Sequence, residues 1–281
     1  MNNPHLRDER GRGGGFPIGM GRRGGGGTGI PMGRGGLPML LLLLVVTVLG
    51  GGSLFGGGSP DTAVERPRGA PATSDDDPIH FISFVHADAQ ELWQREIGRQ
   101  YRPAELVVFE DYTQTQGCGG ASSAVGPFYC PADSTVRVDL SFFDELARRF
   151  DAPGDFAQAY VVAHEMGHHV QNVLGISDRV RQEQQRRPAE ANELSVRMEL
   201  QADCLAGVWA ASVYDDLEEG DVEEALAAAE AIGDDRLQRQ AGQRVNPESF
   251  THGTSAQRMQ WLQEGMRGRS IQSCDTFSAS I

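Results

Sequence analysis

The sequence predicts an α+β protein, with a small sheet, a mostly helical remainder and a transmembrane helix ahead of both. Three observations carry this. Short β-branched runs crowd into residues 105–140, and helical periodicity takes over from 141 onward, so strands and helices are segregated rather than alternating. An uncharged apolar stretch over 37–55 precedes them.

The N-terminal end differs in composition from the rest. Of 36 glycines, 20 lie within residues 1–59, alongside Arg7, Arg10, Arg12, Arg22, Arg23 and Arg34 against only Asp8 and Glu9. Residues 1–36 lack a hydrophobic period and are expected to be a disordered Gly/Arg-rich segment. From Leu37 to Phe55 the chain carries no charge, and as a helix its 19 residues would span roughly 28 Å, enough for a bilayer core. Arginines precede it, so the positive-inside rule places the N-terminus in the cytoplasm and the later domain outside it, periplasmic or at the cell surface. A cleaved signal peptide is the rival reading; no small-residue cleavage site follows closely, which favours a single-pass anchor. Residues 56–78, with Asp75, Asp76 and Asp77, read as a linker, and residues 79–281 as one folded domain.

Beyond residue 59 the chain holds 19 arginines against 37 acids, a net charge of −18, and no lysine occurs anywhere. So acidic a body excludes nucleic acid as its partner. Four cysteines remain. Cys118–Cys130 and Cys204–Cys274 are the economical pairing among three possible connectivities, and a translocated domain would meet an oxidising compartment.

Within the domain, 87–100 has helical periodicity through Leu92, Trp93 and Ile97. Strands are expected over 105–110, at Phe128-Tyr129 and over 135–140, the last with Val136, Val138 and Leu140 alternating. The glycine-rich loop 117–123 lacks the spacing of a phosphate loop. Ser141 can cap a short helix to Phe150, and a longer helix opens at Gly154 or Asp155 and stops at Gly175. Residues 177–188 are Arg/Gln-rich and exposed in character. Further helices are expected over 189–214, 221–232, 235–241 and 255–267.

The longer helix carries His164-Glu165-Met166-Gly167-His168. Histidines four apart stand one above the other on a helix, so both can point at one ion, while Glu165 is turned about 100° away and can approach a water there. Phe156, Tyr160, Val161 and Val162 upstream make a buried helix rather than a solvated stripe. A catalytic zinc needs three protein ligands. The metzincin extension would require Gly at 171 and His at 174, where this chain has Gln171 and Leu174. The next long helix instead offers Glu199 and Asp203 at i, i+4 among Ala202, Cys204, Leu205, Val208 and Trp209, where unpaired carboxylates would be costly without a cation. Glu199 can complete the ligand set and Asp203 can accept a hydrogen bond from a ligand histidine. Glu193 competes as third ligand, although Arg197 one turn on can simply pair with it.

His164-Glu165-x-x-His168 with Glu199-x-x-x-Asp203 resembles the gluzincin arrangement of thermolysin-like peptidases. Residues 126–133, 139–143, 164–171, Gln201-Ala202-Asp203-Cys204 and Thr251-His252-Gly253-Thr254-Ser255 are similar to the bacterial family of neutral zinc metallopeptidases, over roughly residues 79–281. The resemblance implies a zincin-like fold, a Zn2+ cofactor and peptidase chemistry on a peptide or protein substrate. It places Val136–Leu140 as an edge strand over the active-site helix, although an interior strand reads equally well. His252, in a loop before the last helix, is a candidate oxyanion donor or a mere capping residue. Arg258 is expected to pair with an acid such as Glu248, and His169 to be structural.

The expectation is therefore a membrane-anchored zinc peptidase in which His164, His168 and Glu199 hold the ion, Glu165 moves the water proton and Asp203 orients a ligand. The alternative is a membrane-tethered binding or scaffold domain with a structural or vestigial zinc site, which would require a fourth protein ligand.

Overall fold

A computed structural model describes residues 3–11 and 78–281. The strands are β1 (Leu6–Asp8), β2 (Glu105–Phe109), β3 (Tyr112–Gln114), β4 (Gly120–Ser122), β5 (Phe128–Cys130) and β6 (Thr135–Asp139). The helices are α1 (Pro78–Ile97), α2 (Ser141–Arg149), α3 (Asp155–Val173), α4 (Ile176–Arg186), α5 (Ala191–Ser212), α6 (Asp221–Ala231), α7 (Asp234–Gln240) and α8 (Ser255–Gly268). The fold is α+β: β2 to β6 lie together between α1 and α2, and α2 to α8 follow them.

The main sheet has the order β1-β2-β6-β5; β1 and β6 run parallel to β2, and β5 runs antiparallel to β6. β6 is therefore an interior strand, and all five of its residues are buried. Of the two readings open for this strand, the interior one holds and the edge reading implied by the family resemblance does not: β5 takes the edge, because the chain reverses within four residues after Cys130 and pairs back on itself. β3 and β4 form a separate hairpin. Arg137, buried on β6, donates to Thr113 on that hairpin and pairs with Asp133 at 3.3 Å. The Cys118–Cys130 disulfide ties the hairpin's turn to β5, and Cys204–Cys274 ties α5 to the C-terminal segment. Both are the pairs expected by economy.

α3 lies at the centre, packed on α1, α5 and α6 and against β5 and β6. Its length follows from its sequence: Glu224 accepts from the Phe156 amide at its start, and Gly175, left-handed at φ 68°, ends it. α1 begins at Pro78, earlier than its periodicity suggested, because Ile79, Ile82 and Val85 extend its buried face. Residues 176–186, read only as exposed, form α4, a polar helix with Val180 alone buried.

Two expectations are corrected at the N-terminus. Residues 1–36 were expected to lack structure, yet Leu6–Asp8 is a strand of the main sheet. The Leu106 amide donates to the His5 carbonyl at 2.9 Å, and the Asn3 amide group donates to the Ser83 carbonyl at 3.0 Å. Residues 3–11 thus share the sheet with the domain, so they cannot lie across a membrane from it, and the single-pass placement with a cytoplasmic N-terminus falls. Among the described residues no helix is long and apolar enough to cross a membrane. Residues 37–55, on which the anchor was read, and the linker to residue 77 lie outside the described residues.

Candidate functional site

The site forms where α3 crosses α5. At the crossing Gly167 faces Ala202 so closely that a Cβ on Gly167 would sit 2.9 Å from the Ala202 carbonyl oxygen. Only hydrogen fits there, and the short interaxial distance this permits carries Glu199, one turn before Ala202, up to the histidines of α3.

His164 Nε2 lies 3.2 Å from Glu199 Oε2, and His168 Nε2 lies 3.5 Å from Glu199 Oε1. The ligand-capable atoms of these three residues all fall within 4.8 Å of one another. A tetrahedral ion with bonds of ~2.1 Å separates its ligand atoms by about 3.4 Å, so this spacing suits zinc, as do two imidazoles with one carboxylate. His164 and His168 are stacked edge-to-face with ring centroids 4.8 Å apart, as i and i+4 on one helix face must be. Glu165 is buried beside them and contributes to the field at His168. Glu193, the competing third ligand, is elsewhere: it pairs with Arg197 at 2.8 Å with more than half its side chain exposed.

Electrostatics tie the three candidate ligands together. Burial alone would lower the His164 imidazole, but the Asp203 charge and hydrogen bonds to Asp203 and Glu199 raise it to about 9 in the metal-free protein. Burial would likewise raise the Glu199 carboxyl, and His168 above all overrides it, holding Glu199 well below the usual carboxylate range.

Behind the candidate ligands lies a network of which sequence spacing revealed only the contact of Asp203 with a histidine. Asp203 Oδ1 sits 2.8 Å from His164 Nδ1 and accepts from the Tyr160 hydroxyl at 2.6 Å. Arg258, buried on α8, donates to both Asp203 oxygens and lies 3.2 Å from the Tyr160 hydroxyl. This corrects the expected Arg258–Glu248 pairing. α8 approaches because Gly265 faces the Cys204 carbonyl and Gly207 faces the Leu262 carbonyl, each at a distance where no Cβ fits. Tyr160 was legible as the residue one turn before His164, on its face; Arg258 had no such signal.

His252 is fixed near the same site by a separate set of contacts. Asp234, at the start of α7, accepts the backbone amides of Thr251, His252 and Gly253 at 2.7, 2.6 and 3.0 Å, and its other oxygen lies 3.2 Å from His252 Nδ1. The loop is pressed on α5, since a Cβ on Gly253 would meet Val196 and Leu200 at 3.2 and 3.3 Å. From there His252 contributes to lowering the Glu199 carboxyl. His169 points away from the ligands: its Nε2 lies 2.6 Å from the Arg102 carbonyl and its Nδ1 3.0 Å from the Tyr129 hydroxyl. A second acidic group, Asp155, Asp221 and Glu224, is partly exposed, and Glu224 there caps α3.

Residues 5–277 match the family described as "Putative neutral zinc metallopeptidase". The chain is 47% identical over 284 residues to the uncharacterized protein YpfJ of Escherichia coli (strain K12), covering 99% of this chain and 96% of the relative. It is 49% identical over 177 residues to the uncharacterized protein Rv2575 of Mycobacterium tuberculosis (strain ATCC 25618 / H37Rv), covering 58% of this chain and 59% of the relative. No solved structure matches. The family match begins at β1 and runs through the C-terminal segment that closes on α5, so it takes in both the sheet and the histidine–glutamate cluster: the chain belongs to the neutral zinc metallopeptidase family.

Proposed function

We propose that the protein is a zinc-dependent peptidase of the gluzincin type, with a zincin-like domain acting on a peptide or protein substrate. The observation that carries this is the donor set itself. His164, His168 and Glu199 come together as three ligands, and among the described residues no fourth His, Cys, Asp or Glu joins them, which supports an open position rather than a closed structural site. Zinc held there would supply a Lewis acid and lower the pKa of a water at that position.

The chain's own residues do the rest. Glu165, buried beside the ligands, takes the water proton and passes it to the leaving amine. Asp203 accepts from His164 Nδ1–H and so leaves Nε2 free to bind the metal. His252, held by Asp234 and near enough to Glu199 to act on its charge, would serve as a donor to the developing oxyanion, a role worth roughly 3 kcal/mol when one such donor is lost. An extended substrate adds to the sheet along β5, the edge strand packed on α3, through main-chain hydrogen bonds.

The test is Glu165→Gln with bound zinc measured alongside hydrolysis of casein. The expected result is zinc retained and hydrolysis abolished. Undiminished hydrolysis by the variant would sink the assignment.

A further inference from the structure

His164 and His168 are held at their Nδ1 atoms by different chemistry. His164 faces the charged Asp203–Arg258 pair. His168 Nδ1 lies 2.9 Å from Gln171 Oε1, a neutral amide one turn on and fully buried. Gln171 Nε2 in turn lies 2.7 Å from the Met198 carbonyl and 3.1 Å from Gln201 Oε1, and Gln201 Nε2 lies 2.8 Å from the Cys274 carbonyl.

The direction of this chain of hydrogen bonds is forced. Backbone carbonyls only accept, so Gln201 must turn its NH2 toward Cys274 and its oxygen toward Gln171. Gln171 must likewise turn its NH2 toward Met198 and Gln201, which leaves its oxygen for His168. Facing an oxygen that cannot donate, a neutral His168 must place its one proton on Nδ1, which leaves Nε2, the atom beside Glu199, with a lone pair for the metal. Met198 immediately precedes Glu199, so the same amide also fixes the α5 backbone next to the third ligand.

Resting on the zinc-site reading above, we infer that Gln171 is a positioning residue for the metal centre: it sets the tautomer and ring orientation of His168 and couples α3 to the α5 segment bearing Glu199. Gln201 acts behind it. Because the Met198 carbonyl still orients Gln171 when Gln201 is lost, the two amides are unequal for metal binding although both are buried ties between packed elements.

The experiment compares zinc affinity of the full-length protein, by competition with a chelator of known affinity, in wild type, Gln171→Met and Gln201→Met, with stability of the metal-free forms measured by urea unfolding. Methionine keeps the length and volume of glutamine. Gln171→Met is expected to weaken zinc binding at least about 10-fold. Gln201→Met should lose comparable stability yet change zinc affinity less than about 3-fold, given the second acceptor that remains. Unchanged affinity in Gln171→Met, or equal losses in both variants, overturns the inference, since a purely structural tie would act on both alike. Should Gln171→Met fail to fold, nitrogen-15 spectra of zinc-loaded wild type decide: the inference requires Nδ1–H and a metal-bound Nε2 on His168, and the reverse tautomer overturns it. Wild type that binds no zinc, or that keeps it in His164→Ala, instead overturns the reading of the site itself.

Discussion

Arg258 donates from Nε to Asp203 Oδ2 at 2.8 Å and from Nη2 to Oδ1 at 2.9 Å, with the arginine side chain 2% exposed and the carboxylate fully buried. A forked pair of this kind lets a full negative charge stand behind His164 in the protein interior. Burial raises the Asp203 carboxyl; Arg258, with His164, overrides it and keeps Asp203 below its ordinary range. The polarity needed at the histidine is thus supplied from α8, an element remote in sequence.

Removing one partner should cost more than removing both. Arg258→Met leaves Asp203 buried without its cation and is expected to lower unfolding free energy by about 3–5 kcal/mol. The double variant Asp203→Asn, Arg258→Met should recover part of that loss. Urea unfolding of the metal-free forms measures it, and a double variant no more stable than the single one would mean that the pair is not coupled in this way.

Gly167→Ala should act through the helix crossing. Its Cβ would meet the Ala202 carbonyl at 2.9 Å and the Ala202 Cα at 3.0 Å, both backbone atoms that cannot rotate aside. Forcing α3 and α5 apart is expected to cost ~1–3 kcal/mol and to weaken zinc binding, because Glu199 moves with α5 while the histidines stay on α3. Paired measurements of melting temperature and zinc affinity check this.

Asp234→Ala removes the acceptor of three consecutive amides and the partner of His252. If His252 serves the oxyanion, kcat should fall on the order of 10- to 100-fold with KM and bound zinc little changed, since the contact matters most in the transition state. A loss confined to KM would instead assign the loop to substrate binding.

Acid should unfold the domain through two buried histidines. Burial, then the charges of His5 and His169, pushes His86 down to about 3, and burial pushes His169 down to about 4. Both folded values lie below the ~6.5 of an unfolded histidine. The neutral forms therefore favour the fold fully above pH ~6.5, and that stability is lost as pH falls toward 4, by roughly 3 kcal/mol for His169 alone. Melting temperature followed between pH 8 and 4 should show the decline, and His86→Leu should flatten it.

Much of the site was legible in the chain itself. The i, i+4 spacing of His164 and His168, and of Glu199 and Asp203, fixes which side chains share a face once each segment is helical, and the apolar residues around them fix that those faces are buried. Local periodicity also located most helices and the cluster of short strands ahead of the helical remainder. Tertiary structure alone decided the rest. Whether Glu199 or Glu193 meets the histidines depends on where α3 crosses α5, which Gly167 and Ala202 set by steric fit. The partnering of Arg258 with Asp203, of Asp234 with the His252 loop and of Gln171 with Gln201 joins residues 18 to 55 apart, distances over which no sequence period carries information. The sheet gave the sharpest departure. A three-residue strand such as Leu6–Asp8 has too little periodicity to be seen in a Gly/Arg-rich stretch, and only the open edge of β2 gave it a place.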